Sequence, residues 1–175
     1  MKFFAYDDKM FSPLLQTILQ DVQCLGIARL KGYRLYFHNR SGQDQSGKCN
    51  LVRVRDSDDY VYGVLYEVLP REKHLLDKAE SLGYGNQEIT LRVEPLSGIL
   101  DEETPCYAFT YVAHKENVME DLMPYTWYKE FVLGGAKEHH FPESYIQYLE
   151  QTPATTDPNA TRETKNKRFL GTHFL

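Results

Sequence analysis

Glu80 and the turn Asp7-Asp8-Lys9 are the residues whose types and positions could do chemistry. Glu80 ends a run, "PREKHLLDKAESLG", in which Leu75, Leu76, Ala79 and Leu82 recur as the apolar stripe of a helix. It follows Leu76 by four residues, so it stands on the same side of the helix, at the margin of that stripe. A carboxylate there is partly covered, and in the last turn it meets the negative end of the helix dipole. Both effects raise its pKa toward the range in which one group can take up and return a proton. From the pattern alone, an exposed glutamate on a surface helix is the commoner reading.

The other feature is "MKFFAYDDKMF". Phe3 to Tyr6 read as a short buried strand, and Asp7, Asp8 and Lys9 occupy its passage into the next helix. Turns of this kind grip anions through backbone N–H groups ahead of a helix, and glycine or serine suits them best. Two carboxylates beside an anionic ligand repel it by roughly 4 kcal/mol each at an intermediate effective dielectric. Lys9 offsets this, by pairing with an aspartate or by meeting the anion directly. In an alternative reading both aspartates point to solvent and the backbone cradle survives.

The remaining reactive residue types give less. His139 and His140 are adjacent, so they point in different directions on a helix, and without a third partner they predict no metal site. His38 stands near the loop "NRSGQDQSG", where it borders a cavity mouth or the surface. Cys24, Cys49 and Cys106 are odd in number and widely spaced, with no C-x-x-C pair. That suggests neither a zinc site nor a redox motif and favours a reduced, cytoplasmic setting. In such a setting the Asn-x-Ser/Thr patterns at Asn39 and Asn159 are chance matches. The apolar start of the chain stops at Asp7, too short for a signal peptide, and no apolar run approaches the roughly 20 residues of a bilayer span. A net charge of −5 argues against a protein held to nucleic acid by phosphate contacts.

These residues must be positioned by the elements between them. "KFFAY" is a strand, and "SPLLQTILQDV" a helix with Ser12 as N-cap and Pro13 at its first position. "GIARLKGYRLYF" is one or two strands broken at Gly32, and "KCNLVRVR" alternates as a half-buried strand. "DSDD" is a turn. "YVYGVLYEVL" is near-continuously apolar and reads as a central strand. The Glu80 helix runs from Pro70, with Gly83 as its C′ residue. "NQEITLRVEPL" and "CYAFTYVA" are strands. "PYTWYKEFVLGGAKEH" and "PESYIQYLEQ" are helices opened by prolines. This order predicts an α+β fold: a small curved mixed sheet or barrel with flanking helices. Thirteen tyrosines and nine phenylalanines fit such a sheet around a lined cavity. The sequence divides into a domain over 1–151 and a polar C-terminal tail over 152–175, whose apolar end "RFLGTHFL" is expected to dock on the domain.

Three stretches resemble the γ-glutamylcyclotransferase-like (AIG2-like) family. Phe3 to Met10 resembles the family's aromatic-Phe-Ala-Tyr-Gly-Ser-Asn-Leu/Met. "RLKGYRLYF" resembles its Arg-Leu-x-Gly-Tyr-Arg-Leu-x-Phe. "YGVLYEV" followed by "LLDKAESLGY" resembles the strand and helix that deliver the catalytic glutamate. A weaker match is "PYTWYKEFVLGGAKEHHFPESYIQYL". The resemblance spans Phe3 to about Leu149. It implies a small barrel with one cavity, and release of 5-oxoproline with an amine or amino acid from a small γ-glutamyl substrate, without cofactor or metal. It puts Glu80 in the place of the catalytic glutamate, Tyr6, Asp7, Asp8, Lys9 and Met10 in the substrate cradle, and Tyr84 and Tyr128 beside the site. The departure is the turn: Asp7-Asp8-Lys9 stands where the family has Gly-Ser-Asn. Action on an altered substrate, or a binding module without chemistry, is therefore the alternative to the usual γ-glutamyl reaction.

Overall fold

The computed structural model describes residues 1–54, 58–100 and 104–173. Its centre is β5 (Tyr60–Glu67), the strand with the densest apolar run. β5 pairs antiparallel with β1 (Lys2–Ala5) on one edge and β2 (Gln23–Lys31) on the other. β6 (Asn86–Pro95) pairs with β2 and with β7 (Cys106–Ala113). A parallel bridge from Phe3 to Phe109 joins β7 back to β1 and closes a barrel in the order β1-β5-β2-β6-β7. The sheet is mixed and has no open edge, so the expected α+β barrel with flanking helices is the observed fold. Phe3 and Phe4 in β1 and Val64 and Leu65 in β5 are all buried, and because neighbouring strand residues point to opposite faces, the barrel wall is covered inside and out at this point.

β3 (Tyr33–Arg40) and β4 (Gly47–Arg53) form a separate two-stranded sheet. Gly32, at φ +77°, makes the break between β2 and β3 that its position suggested. Only the end of the expected turn "DSDD" lies within the described residues.

The helices are shorter than their periodicity suggests. The first, α1, covers Ser12–Gln16 rather than the whole run to Val22. Leu15 and Leu19 are fully buried, but β2 already pairs Gln23 with Glu67, which leaves too few residues for two more helical turns. The Glu80 helix, α2, covers Lys73–Ala79. Pro70 lies in the turn before it. The residue that leaves the helix with positive φ is Ser81 (+54°), with Gly83 (+81°) two positions on, so Gly83 is not the C′ residue. α3 (Thr126–Glu138) and α4 (Glu143–Gln151) follow. α3 crosses directly under the turn after β1. A Cβ on Gly135 would come within 2.5 Å of Met10 Cβ, so only glycine permits that approach.

The polar segment after Thr152 contains a helix, α5 (Ala160–His173). Asn159 Oδ1 accepts the Arg162 N–H at its start. Buried Asp157 accepts from Trp127 Nε1 at 2.9 Å and receives a two-pronged contact from Arg162. Leu170 is buried and Phe169 packs on Phe131 of α3. The last two residues of "RFLGTHFL" lie outside the described residues. Among the described residues no helix is long and apolar enough to cross a membrane.

Candidate active site

The turn after β1 is built by its own side chains. Asp7 accepts the backbone N–H of Lys9 through Oδ1 at 3.0 Å and so caps a single 3₁₀ turn, Asp8–Met10. That donor is therefore spent within the turn and is not offered to a ligand. Tyr6 donates to the Tyr111 carbonyl at 2.5 Å, tying the end of β1 to β7. From below, Tyr66 and His139 both meet the Met10 carbonyl, at 3.2 and 3.0 Å.

Glu80 is the C-cap of α2 and is buried. Its carbonyl accepts from Asn86 Nδ2 at 2.7 Å, and Asn86 Oδ1 accepts from Asn39 at 2.9 Å. This amide pair fixes the end of the helix against β3 and β6. The Lys9 ammonium bridges the two halves of the site, 2.8 Å from Asp8 Oδ1 and 2.9 Å from Glu80 Oε1. Thus neither aspartate simply faces solvent: Asp7 caps the turn and Asp8 holds Lys9.

A cavity of about 420 Å³ opens over this cluster. Tyr6, Asp7, Asp8, Lys9, Glu80 and Tyr128 all line it. Tyr128 Oη accepts the Cys49 N–H at 3.1 Å. Tyr84 stands at the rim, 93% exposed. Met10 is not among the lining residues: it is fully buried beneath the turn, where its backbone carbonyl meets Tyr66 and His139 and not the cavity.

The electrostatics follow from burial. Desolvation and then the charge of Glu80 push Asp7 up to about 8, with Lys9 opposing. Desolvation also raises Glu80, against the pull of Lys9. For Lys9, burial disfavours the ammonium, but Asp8, Glu80 and Asp7 outweigh it and raise its pKa well above the usual lysine value. The Tyr128 phenol is pushed up, chiefly by burial.

Several lining residues escaped the sequence reading. Lys48 lies 4.3 Å from the Tyr128 ring centre and 4.6 Å from that of Trp127, and pairs with Asp44 at 2.8 Å. Burial lowers its pKa despite Asp44. Arg40, Asn86 and Asn166 also line the cavity, the last from α5. The polar loop "NRSGQDQSG" was the visible signal for this side; nothing local announced Asn166. His38 instead hydrogen-bonds Asn50 at 3.0 Å and stacks on Tyr36, outside this cavity. His139 serves the Met10 carbonyl, and among the described residues no three His, Cys, Asp or Glu are grouped to hold a metal ion.

A five-stranded closed mixed barrel with flanking helices defines a γ-glutamyl-cyclotransferase-like fold. A solved γ-glutamyl cyclotransferase superposes with a TM-score of 0.81 at 20% identity, covering 96% of this chain and 98% of its own. The human protein LOC79017 gives 0.79 at 21% identity, over 95% and 97%. YkqA from Bacillus subtilis gives 0.67 at 18% identity, over 88% of this chain and 55% of its own. The AIG2-like family profile matches residues 60–149, and the chain belongs to that family. No curated protein matches it in sequence.

Proposed function

We propose that the protein is a γ-glutamylcyclotransferase-type enzyme that releases 5-oxoproline and an amine or amino acid from a γ-glutamyl compound. The observation that carries this reading is the buried Glu80 carboxylate, lining the cavity and held by Lys9. The substrate's α-amine attacks its own γ-carbonyl and closes a five-membered ring, so folding the substrate correctly supplies much of the rate. Glu80 moves the proton of this transfer. Lys9 meets the α-carboxylate of the γ-glutamyl moiety, replacing a backbone grip from which Asp7 has withdrawn one donor. The cavity suits a small molecule of this size.

The test is a panel of γ-glutamyl-amines and γ-glutamyl dipeptides with 5-oxoproline as readout. Release by the wild-type protein that disappears in Glu80→Gln supports the proposal. A second reading, a binding module of the same fold, is favoured by one observation: Lys9 already occupies Glu80. Absence of turnover on every compound, combined with ligand-induced thermal stabilisation, would establish it instead.

A further inference from the structure

We infer that the Asp7 carboxyl is a second catalytic group, the acid that protonates the departing nitrogen while Glu80 acts as the base. This rests on the cyclotransferase reading and divides its proton transfer between two carboxyl groups lining one cavity.

The two carboxyls differ in what holds them. Glu80 Oε1 has the Lys9 ammonium at 2.9 Å, a contact that favours the ionised form. Asp7 is held instead by a neutral donor: its Oδ1 accepts the Lys9 backbone N–H at 3.0 Å. The charged and titratable groups around Asp7 are Asp8 and Lys9 on its own turn, Tyr6 at the end of β1, Glu80 from α2, Cys49 from β4 and Tyr128 from α3. Only Lys9 among these is cationic, and its ammonium is shared between Asp8 and Glu80. Burial and the Glu80 charge outweigh the opposing Lys9 ammonium and backbone hydrogen bond and push Asp7 up to about 8. Two carboxyls lining one cavity, one held by an ammonium and the other by a neutral N–H, are placed to divide the roles of base and acid.

The transfer balances. The α-nitrogen forms its bond to the γ-carbon and gives one proton to Glu80. The bond from that carbon to the leaving nitrogen breaks, and the leaving nitrogen takes the Asp7 proton. The products are 5-oxoproline and the neutral amine, with Glu80 protonated and Asp7 ionised. Return of one proton from Glu80 to Asp7, through solvent or directly, resets the site.

An acid matters most when the leaving amine is strongly basic. The test compares a γ-glutamyl-alkylamide with the γ-glutamyl-4-nitroanilide in wild type, Asp7→Asn and Glu80→Gln. Asn keeps the oxygen that caps the turn and removes the proton. We expect Asp7→Asn to lose roughly 100-fold or more in kcat on the alkylamide and less than about tenfold on the anilide. In the wild type, the alkylamide rate falls above pH 8 and the anilide rate does not. Equal losses on both substrates, or the same alkaline limb for both, would overturn the inference while loss of activity in Glu80→Gln upholds the cyclotransferase reading. No release by the wild type from either compound would overturn both. The wild-type pH comparison decides the matter even if Asp7→Asn fails to fold.

Discussion

The Lys9 ammonium lies 2.9 Å from Oε1 of Glu80, joining the turn after β1 to the end of α2 across 71 positions of sequence. Both groups are almost fully covered, so the pair is far costlier to break than a surface salt bridge. Replacing Lys9 by methionine strands Asp8 and Glu80 as unpaired buried acids. We expect a loss of about 3–5 kcal/mol in denaturant unfolding at neutral pH. The double variant Lys9→Met, Glu80→Gln recovers part of it, which a merely steric effect of the new methionine does not allow.

Asp7 makes stability depend on pH in an unusual direction. Its folded pKa of about 8 lies above the model-peptide value of 3.8, so the native state holds more protons than the unfolded chain between these limits. Stability therefore falls as pH rises through this window. Asp7→Asn removes the effect. It is expected to be more stable than the wild type at pH 8 by at least roughly 1 kcal/mol, the worth of a single pKa unit. A wild type whose stability rises between pH 5 and 8, relative to Asp7→Asn, contradicts the assignment.

Gly135→Ala probes the contact that seats the turn on α3. The added Cβ meets Met10 Cβ at 2.5 Å and Phe11 N at 2.7 Å, and the backbone atoms there cannot rotate away. The turn must shift, at a cost of about 1–3 kcal/mol. Because the turn carries Asp7, Asp8 and Lys9, turnover should fall by more than the fraction unfolded explains. Thermal unfolding and kcat measured on the same preparation separate the two effects.

Asp157 anchors α5 through Trp127 and Arg162 and is held down to about 2, mainly by the Arg162 hydrogen bonds. Its depressed pKa means that its contribution is present above the unfolded value and is lost as pH falls toward 2. Asp157→Ala leaves the Trp127 indole N–H without its acceptor and costs about 1–3 kcal/mol. Faster amide exchange confined to residues 160–173 is the expected signature. Unchanged protection there would show that Leu170 and Phe169 hold α5 without the anchor.

Much of the architecture was legible because the local signals agree with the tertiary ones. The continuous apolar run of Val61, Val64 and Leu65 marked a strand buried on both sides, and Gly32 marked a break that needs positive φ. Helix ends were less legible. The stripe from Leu14 to Val22 satisfies helical spacing, yet pairing of Gln23 with Glu67 ends the helix early, because strand register outweighs propensity. The residues after Thr152 read as a polar tail, since a helix held by one buried leucine and one buried aspartate carries little hydrophobic periodicity.

The sequence by itself determined the inventory of the site: a glutamate at the end of an amphipathic helix, a turn with two acids and a lysine where glycine and serine are usual, and aromatic residues enough to wall a cavity. Only the tertiary structure decided the pairings. Whether Lys9 faces a ligand, an aspartate or Glu80 depends on where β1 and α2 lie on the closed barrel, and no local pattern encodes that distance. The same closure withdraws Asp7 and Glu80 from water together, and that burial is what raises the pKa of both, with Lys9 opposing.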